Sequence, residues 1–179
     1  MTLQSLLFTW TNHEQRMPSS FENSPATPAI PITFATKSTW DAIRAKLPTS
    51  ARQFAAANGF AAKPGACLIL PDTDGQIAGV LFGLEDEGSK SRDPFRPGAL
   101  PSLLPAGVYR FANAPHDPHL AALAFALGTY RFGRYRKTEP NEVKLVPPDG
   151  VDIADVARMV EGAALARDLI NTQIGRSHV

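Results

Sequence analysis

A single cysteine, Cys67, stands among 179 residues, which excludes an internal disulfide and any zinc site built mainly from thiolates. It sits in an apolar run, where a thiol is expected to be buried and inert, and one free thiol is what a reducing cytoplasm permits. Charge of one sign is lacking too: 18 Lys and Arg against 17 Asp and Glu leave a formal net charge of +1, so no global field draws in nucleic acid or an anionic membrane. No apolar run approaches the roughly 20 residues needed to cross a bilayer. The short stretch Leu3 to Trp10 has no basic residue before it and no small-residue cleavage site after it, so no signal peptide is expected. The sequence also contains no G-x-S-x-G, no P-loop and no G-x-G-x-x-G.

Proline is abundant, with 16 in the chain, and most of these mark the ends of short elements. Residues 1–28 are Ser- and Pro-rich after the first apolar stretch and lack periodicity, so they are expected to be a flexible lead-in. Residues 29–150 alternate strand and helix signals. Residues 30–34 form a β-rich run whose Pro31 suits an edge or the strand's first residues. Ser38 or Thr39 can cap a helix over residues 40–47, and a second helix is expected over 50–58, before Gly59. Residues 66–70 and 77–84 read as strands buried on both faces, joined by a hairpin at Asp74-Gly75. A strand at 108–111 precedes a helix with Asp117 at its N-cap and Pro118 at its first position; Leu120, Leu123, Ala124 and Leu127 give it one apolar stripe. A strand at 143–146 and a last helix capped by Asp152, with Ile153, Val156, Val160, Ala163 and Ala164 facing inward, complete the pattern. Residues 151–172 hold this helix and 173–179 an atypical tail. The expected class is α/β, with a mixed sheet covered on both faces.

Several residues invite chemical readings. His116 and His119 flank Asp117, but that Asp has a capping role and zinc catalysis needs three firm ligands. Asp72-Thr73-Asp74-Gly75 is a turn, because a calcium loop places its Gly at position six. Glu85-Asp86-Glu87 reads as a solvated loop leaving a strand. Arg131, Arg134, Arg136 and Lys137 interleave with Phe132 and Tyr135, a composition able to touch phosphate and stack on bases, yet four cations give only a weak, salt-sensitive attraction. Their simpler role is to complement a helix C-terminus, with Gly133 as the stop.

Two segments carry a family resemblance. Ala124-Phe125-Ala126-Leu127-Gly128-Thr129-Tyr130-Arg131-Phe132, followed by Tyr135-Arg136-Lys137, resembles the ALG-x-YRF-x-x-Y-K helix end in the amino-terminal domain of leucyl aminopeptidases. The run from Glu161 through Ala166-Arg167-Asp168-Leu169-Ile170-Asn171-Thr172 is similar to the family's ARDL-x-NTP helix, which leads into the catalytic domain. The resemblance covers residues 29–172. It implies a three-layer α/β/α macro-like domain and, for the parent family, removal of amino-terminal residues from peptides by two divalent metals, zinc or manganese.

The departures matter as much. The family's metal-binding Asp, Glu and Lys residues and its NTDAEGR signature belong to the carboxy-terminal domain, and no such motif occurs here. Gln173 replaces the usual Pro. No catalytic, metal or cofactor residue is therefore carried onto this chain, and only Arg167, Asp168, Asn171 and Thr172 inherit a place, as an interdomain helix. The implied function is a non-catalytic assembly or regulatory domain whose partners are a catalytic domain and neighbouring copies. The alternatives are a stand-alone module for ADP-ribose or related nucleotides, for which Gly79, Gly83 and Gly88 form no phosphate nest, and a weak DNA-binding domain.

Overall fold

The computed structural model describes residues 20–132 and 142–172. Five strands form one mixed sheet in the order β2-β3-β1-β4-β5. The strands are β1 (Ile30–Ala35), β2 (Cys67–Pro71), β3 (Ile77–Gly83), β4 (Gly107–Phe111) and β5 (Val143–Leu145). β1 pairs in parallel with both β3 and β4, β4 pairs in parallel with β5, and β2 runs antiparallel to β3. The hairpin forms because Asp72 Oδ1 accepts from the backbone of Asp74 and Gln76 while Gly75 takes φ +79°.

The helices are α1 (Trp40–Lys46), α2 (Thr49–Ala57), α3 (Leu100–Leu103), α4 (Pro118–Gly128) and α5 (Ile153–Asn171), with a 3-10 turn at Arg96–Ala99. Strand alternation sends Ile32, Phe34, Val80, Phe82 and Tyr109 to one face, where Leu100, Leu123, Phe125 and Val156 cover them. Ala35, Leu81 and Leu70 face the other way, against Trp40, Ala51 and Ala55. Helices thus cover both faces of the sheet, the α/β/α arrangement the resemblance implies.

β1 is the central strand and holds Pro31 as its second residue, the second of the two places expected for it, before pairing with β3 begins at Ile32. Three local expectations need correction. β2 is an edge strand and only Leu70 in it is buried, since no further strand shields its outer side. Thr39 stands before α1 but does not cap it; its hydroxyl turns back to accept from the Thr36 backbone. α4 is buried on most of its circumference, from Ala121 through Ala126, because α5 and the 3-10 turn pack on the sides the single stripe left open. Asp117 and Asp152 do cap α4 and α5, accepting from Leu120 N and Asp155 N.

The end of the lead-in is anchored. Leu145 N donates to Ser20 O and Glu22 N to Leu145 O, Lys144 pairs with Glu22 at 3.0 Å, and Phe21 is buried in the core.

Candidate functional site

The two sequence segments singled out above meet where α4 ends. Gly128 closes α4 against the 3-10 turn: a Cβ on Gly128 would lie 2.1 Å from Gly98 O, so only glycine fits. The Thr129 hydroxyl donates to Ala126 O at 2.7 Å, and Arg131 donates to Gly128 O and Tyr130 O, placing its charge at the helix's negative end. The helix stops at Gly128, five residues before Gly133; that residue lies outside the described residues, as do Arg134, Arg136 and Lys137.

From α5, Arg167 crosses to this end. Its guanidinium donates to Leu127 O at 3.0 Å and lies 5.2 Å from the centroid of the Tyr130 ring. Tyr130 in turn donates its hydroxyl to Asp168 Oδ1 at 2.6 Å. Asn171 lies beside that hydroxyl, and the Thr172 hydroxyl donates to Asp168 O at 2.6 Å. A phenol, a guanidinium and a carboxylate are thus joined to one another and to helix backbone. Such a clasp fixes the angle of α5 on α4; it presents no nucleophile beside a base. Tyr130 as the partner of Asp168 was missed in the sequence because the two are 38 residues apart.

The opposite side of α5 has no cover among the described residues. Met159, Gly162, Leu165, Ala166, Leu169 and Ile170 fall within one arc at 100° per residue. Leu165 is 62% exposed, Leu169 66% and Ile170 82%. α5 therefore carries two apolar faces, one packed through Val156 and Val160 onto the domain and one turned outward.

The remaining candidates have separate partners. His116 Nε2 lies 2.6 Å from Glu85 O, while His119 faces Asp155 at 3.6 Å, so the two imidazoles do not converge. Among the described residues no group of three or more His, Cys, Asp or Glu side chains gathers to hold a metal. Cys67 is half-buried, and burial pushes its thiol above the usual range. Glu85 is buried and paired with Arg96 of the 3-10 turn, an ion pair that no sequence period announces. Gly79 and Gly83 serve packing: a Cβ at Gly79 would come 3.3 Å from Pro31 O, and one at Gly83 1.9 Å from Lys63 O. Among the described residues no helix is long and apolar enough to cross a membrane.

Comparison with known proteins gives a consistent result. The chain is similar to the cytosol aminopeptidase of Coxiella burnetii, with 28% identity and a TM-score of 0.73 over 86% of this chain and 33% of that one. At the level of fold it is also similar to the bottromycin maturation enzyme BotP in complex with Mn (23% identity, TM-score 0.57, 82% of this chain and 32% of that one). Tomato leucine aminopeptidase, as a K354E mutant, shares the fold at 16% identity and a TM-score of 0.53, over 86% of this chain and 38% of that one. The chain thus spans about a third of the length of the solved structures it matches. A comparison with curated protein sequences gives no match. The model of the M17 aminopeptidase N-terminal domain matches residues 30–148. With that match on a five-stranded mixed sheet layered between helices, the chain belongs to the M17 aminopeptidase N-terminal domain family.

Proposed function

We propose that this chain is the non-catalytic assembly or regulatory domain of a leucyl-aminopeptidase-like metallopeptidase, with α5 as the helix that docks against catalytic polypeptide. The observation that carries this reading is the outward apolar face of α5, centred on Leu165, Leu169 and Ile170. A soluble surface that exposes so large an apolar strip on one helix is an interaction site far more often than a neutral feature. Two supports stand beside it. α5 lies beyond the residues the family model matches, and the Arg167, Asp168 and Tyr130 clasp holds it rigidly enough to present a face. Peptide cleavage and its divalent metals, zinc or manganese, would then belong to catalytic polypeptide of the kind the longer relatives contain. Neither the ADP-ribose nor the DNA-binding alternative gains a specific observation, since Gly79 and Gly83 are occupied by packing and Arg131 by helix carbonyls.

The test has two parts. The purified chain, given leucyl p-nitroanilide with Zn²⁺ or Mn²⁺, is expected to release no more product than a metal-only blank. Sedimentation velocity is expected to show concentration-dependent self-association that Leu165→Ser with Leu169→Ser abolishes. Metal-dependent hydrolysis would overturn the non-catalytic assignment, and monomeric behaviour at high concentration would overturn the docking face.

A further inference from the structure

Residues 20–22 lie along the outer edge of β5 as an added strand one bridge long. Phe21 pairs in parallel with Leu145, Leu145 with Tyr109 and Tyr109 with Ile30, so four chain segments share one transverse row. The attachment uses both backbone groups of a single residue: Leu145 N donates to Ser20 O at 2.8 Å, and Glu22 N donates to Leu145 O at 3.0 Å. This is how an extended peptide joins a sheet edge. Main-chain bonds hold it, and the side chains along it decide which sequence fits.

The seat shows three preferences. Phe21 is 5% exposed and belongs to the main core with Val143, Leu145 and Val156, so the seat has a socket for a large aromatic side chain. Glu22 meets Lys144 at 3.0 Å on the rim, where an ion pair adds selectivity more than strength. Ser20 is 3% exposed, yet its Oγ has no hydrogen-bond partner among the described residues. The seat therefore takes a small side chain at that place and leaves a hydroxyl unsatisfied. The resident segment is kept there partly by its tether. Residues 23–29, with Pro25 and Pro28, join it to β1 without helix or strand, and such a link holds it at an effective concentration on the order of millimolar. A second copy would bring the same Ser20 and the same contacts, and so gains nothing over the resident. A foreign segment with Ala at that place buries no unpaired hydroxyl and makes the better fit.

We infer that the outer edge of β5 is a strand-docking site for another polypeptide, taking an extended segment with a small apolar residue, an aromatic residue and a carboxylate in succession, and that residues 20–22 fill it in cis until displaced. The inference is independent of the docking role of α5. Backbone hydrogen exchange of the unaltered 179-residue chain is its first test. The Leu145 and Glu22 amides are expected to be protected at least about tenfold less than the Leu84 amide, which is bonded to Ala35 O inside the sheet. Ser20→Ala is expected to raise the protection of those two amides at least about fivefold. In the second test, a fluorescein-labelled Pro-Ser-Ala-Phe-Glu-Asn-Ser peptide is titrated onto the full chain carrying Phe21→Ala, whose own segment has lost its anchor. Saturable binding is expected by polarisation, at least about fivefold weaker when the peptide's Ala is Ser, at least about tenfold weaker to the unaltered chain, and lost when the peptide's Phe is Ala. Lys144→Glu in that variant is expected to shift the preference after Phe from Glu to Lys. Equal protection of Leu145, Glu22 and Leu84 would mean that the resident leaves only on global unfolding and would overturn the inference. Equal binding of the Ala and Ser peptides, or no saturable binding to a folded Phe21→Ala chain, would do the same. A dimer of the unaltered chain that Phe21→Ala dissociates would put a second copy on the edge and overturn the choice of a foreign segment. Should Phe21→Ala not fold, exchange in the unaltered and Ser20→Ala chains decides alone.

Discussion

Single glycines separate two physical roles on neighbouring helices. Gly128 is required by close approach, with Gly98 O at 2.1 Å from its would-be Cβ, whereas Gly162, in the interior of α5, has nothing within 4 Å of that position. Gly128→Ala must push the 3-10 turn off α4 and is expected to cost about 1–3 kcal/mol, as overpacking does. Gly162→Ala only restricts the unfolded chain and is expected to stabilise by about 0.4–1 kcal/mol. Thermal denaturation of both variants checks the pair: a lower Tm for the first and a higher one for the second. The sequence presented both as glycines in helical surroundings and offered no way to rank them, because close approach is a property of two segments 30 residues apart.

At the scale of elements, the two Asp caps were legible, whereas the expected Thr39 cap failed and the clasps were invisible. Asp117 and Asp152 act within three residues, so their roles follow from local geometry. The joint between α4 and α5 depends on residues far apart in sequence: Tyr130 with Asp168, and Arg167 with Leu127. Tyr130→Phe keeps the ring under Arg167 and loses the hydroxyl bond; Arg167→Met loses both contacts. Hydrogen exchange is expected to quicken in the last two turns of α5 in both variants, more in Arg167→Met, with little change in global stability because Arg167 and Asp168 are exposed to solvent. Unchanged exchange in the Arg167 variant would mean that packing of Val156 and Val160 alone holds the helix.

For the whole molecule, the buried Glu85 carboxylate and the half-buried Arg96 tie the end of β3 to the 3-10 turn beneath α4. Burial pushes the Glu85 carboxyl up, but the Arg96 guanidinium, helped by the backbone amides of Glu85 and Asp93, outweighs it and holds the group below its ordinary value of 4.5. A carboxyl lowered on folding stabilises the native state above its unfolded value, and that stabilisation is lost as pH falls through the lower, folded one. Stability is therefore expected to decline below about pH 4.5, and Glu85→Gln is expected to flatten that acid limb while lowering stability at neutral pH. Urea midpoints measured from pH 3 to 7 for both proteins decide the matter; parallel curves would place the acid sensitivity elsewhere.

What the sequence determined by itself was whatever acts over a few residues: strand and helix order, the hairpin, the two Asp caps and the paired motifs that mark the family. Tertiary structure decided the rest. Only sheet order made β1 central and β2 an edge, and only the pairing of Phe21 with Leu145 brought the end of the lead-in onto the outer edge of β5. Likewise, hydrophobic spacing showed that α5 has an inner face, but the second apolar face became meaningful once packing showed which side was already covered. The physical reason is that propensity, capping and periodicity are local free energies, whereas burial, ion pairing and cavities arise between segments whose meeting no short-range pattern encodes.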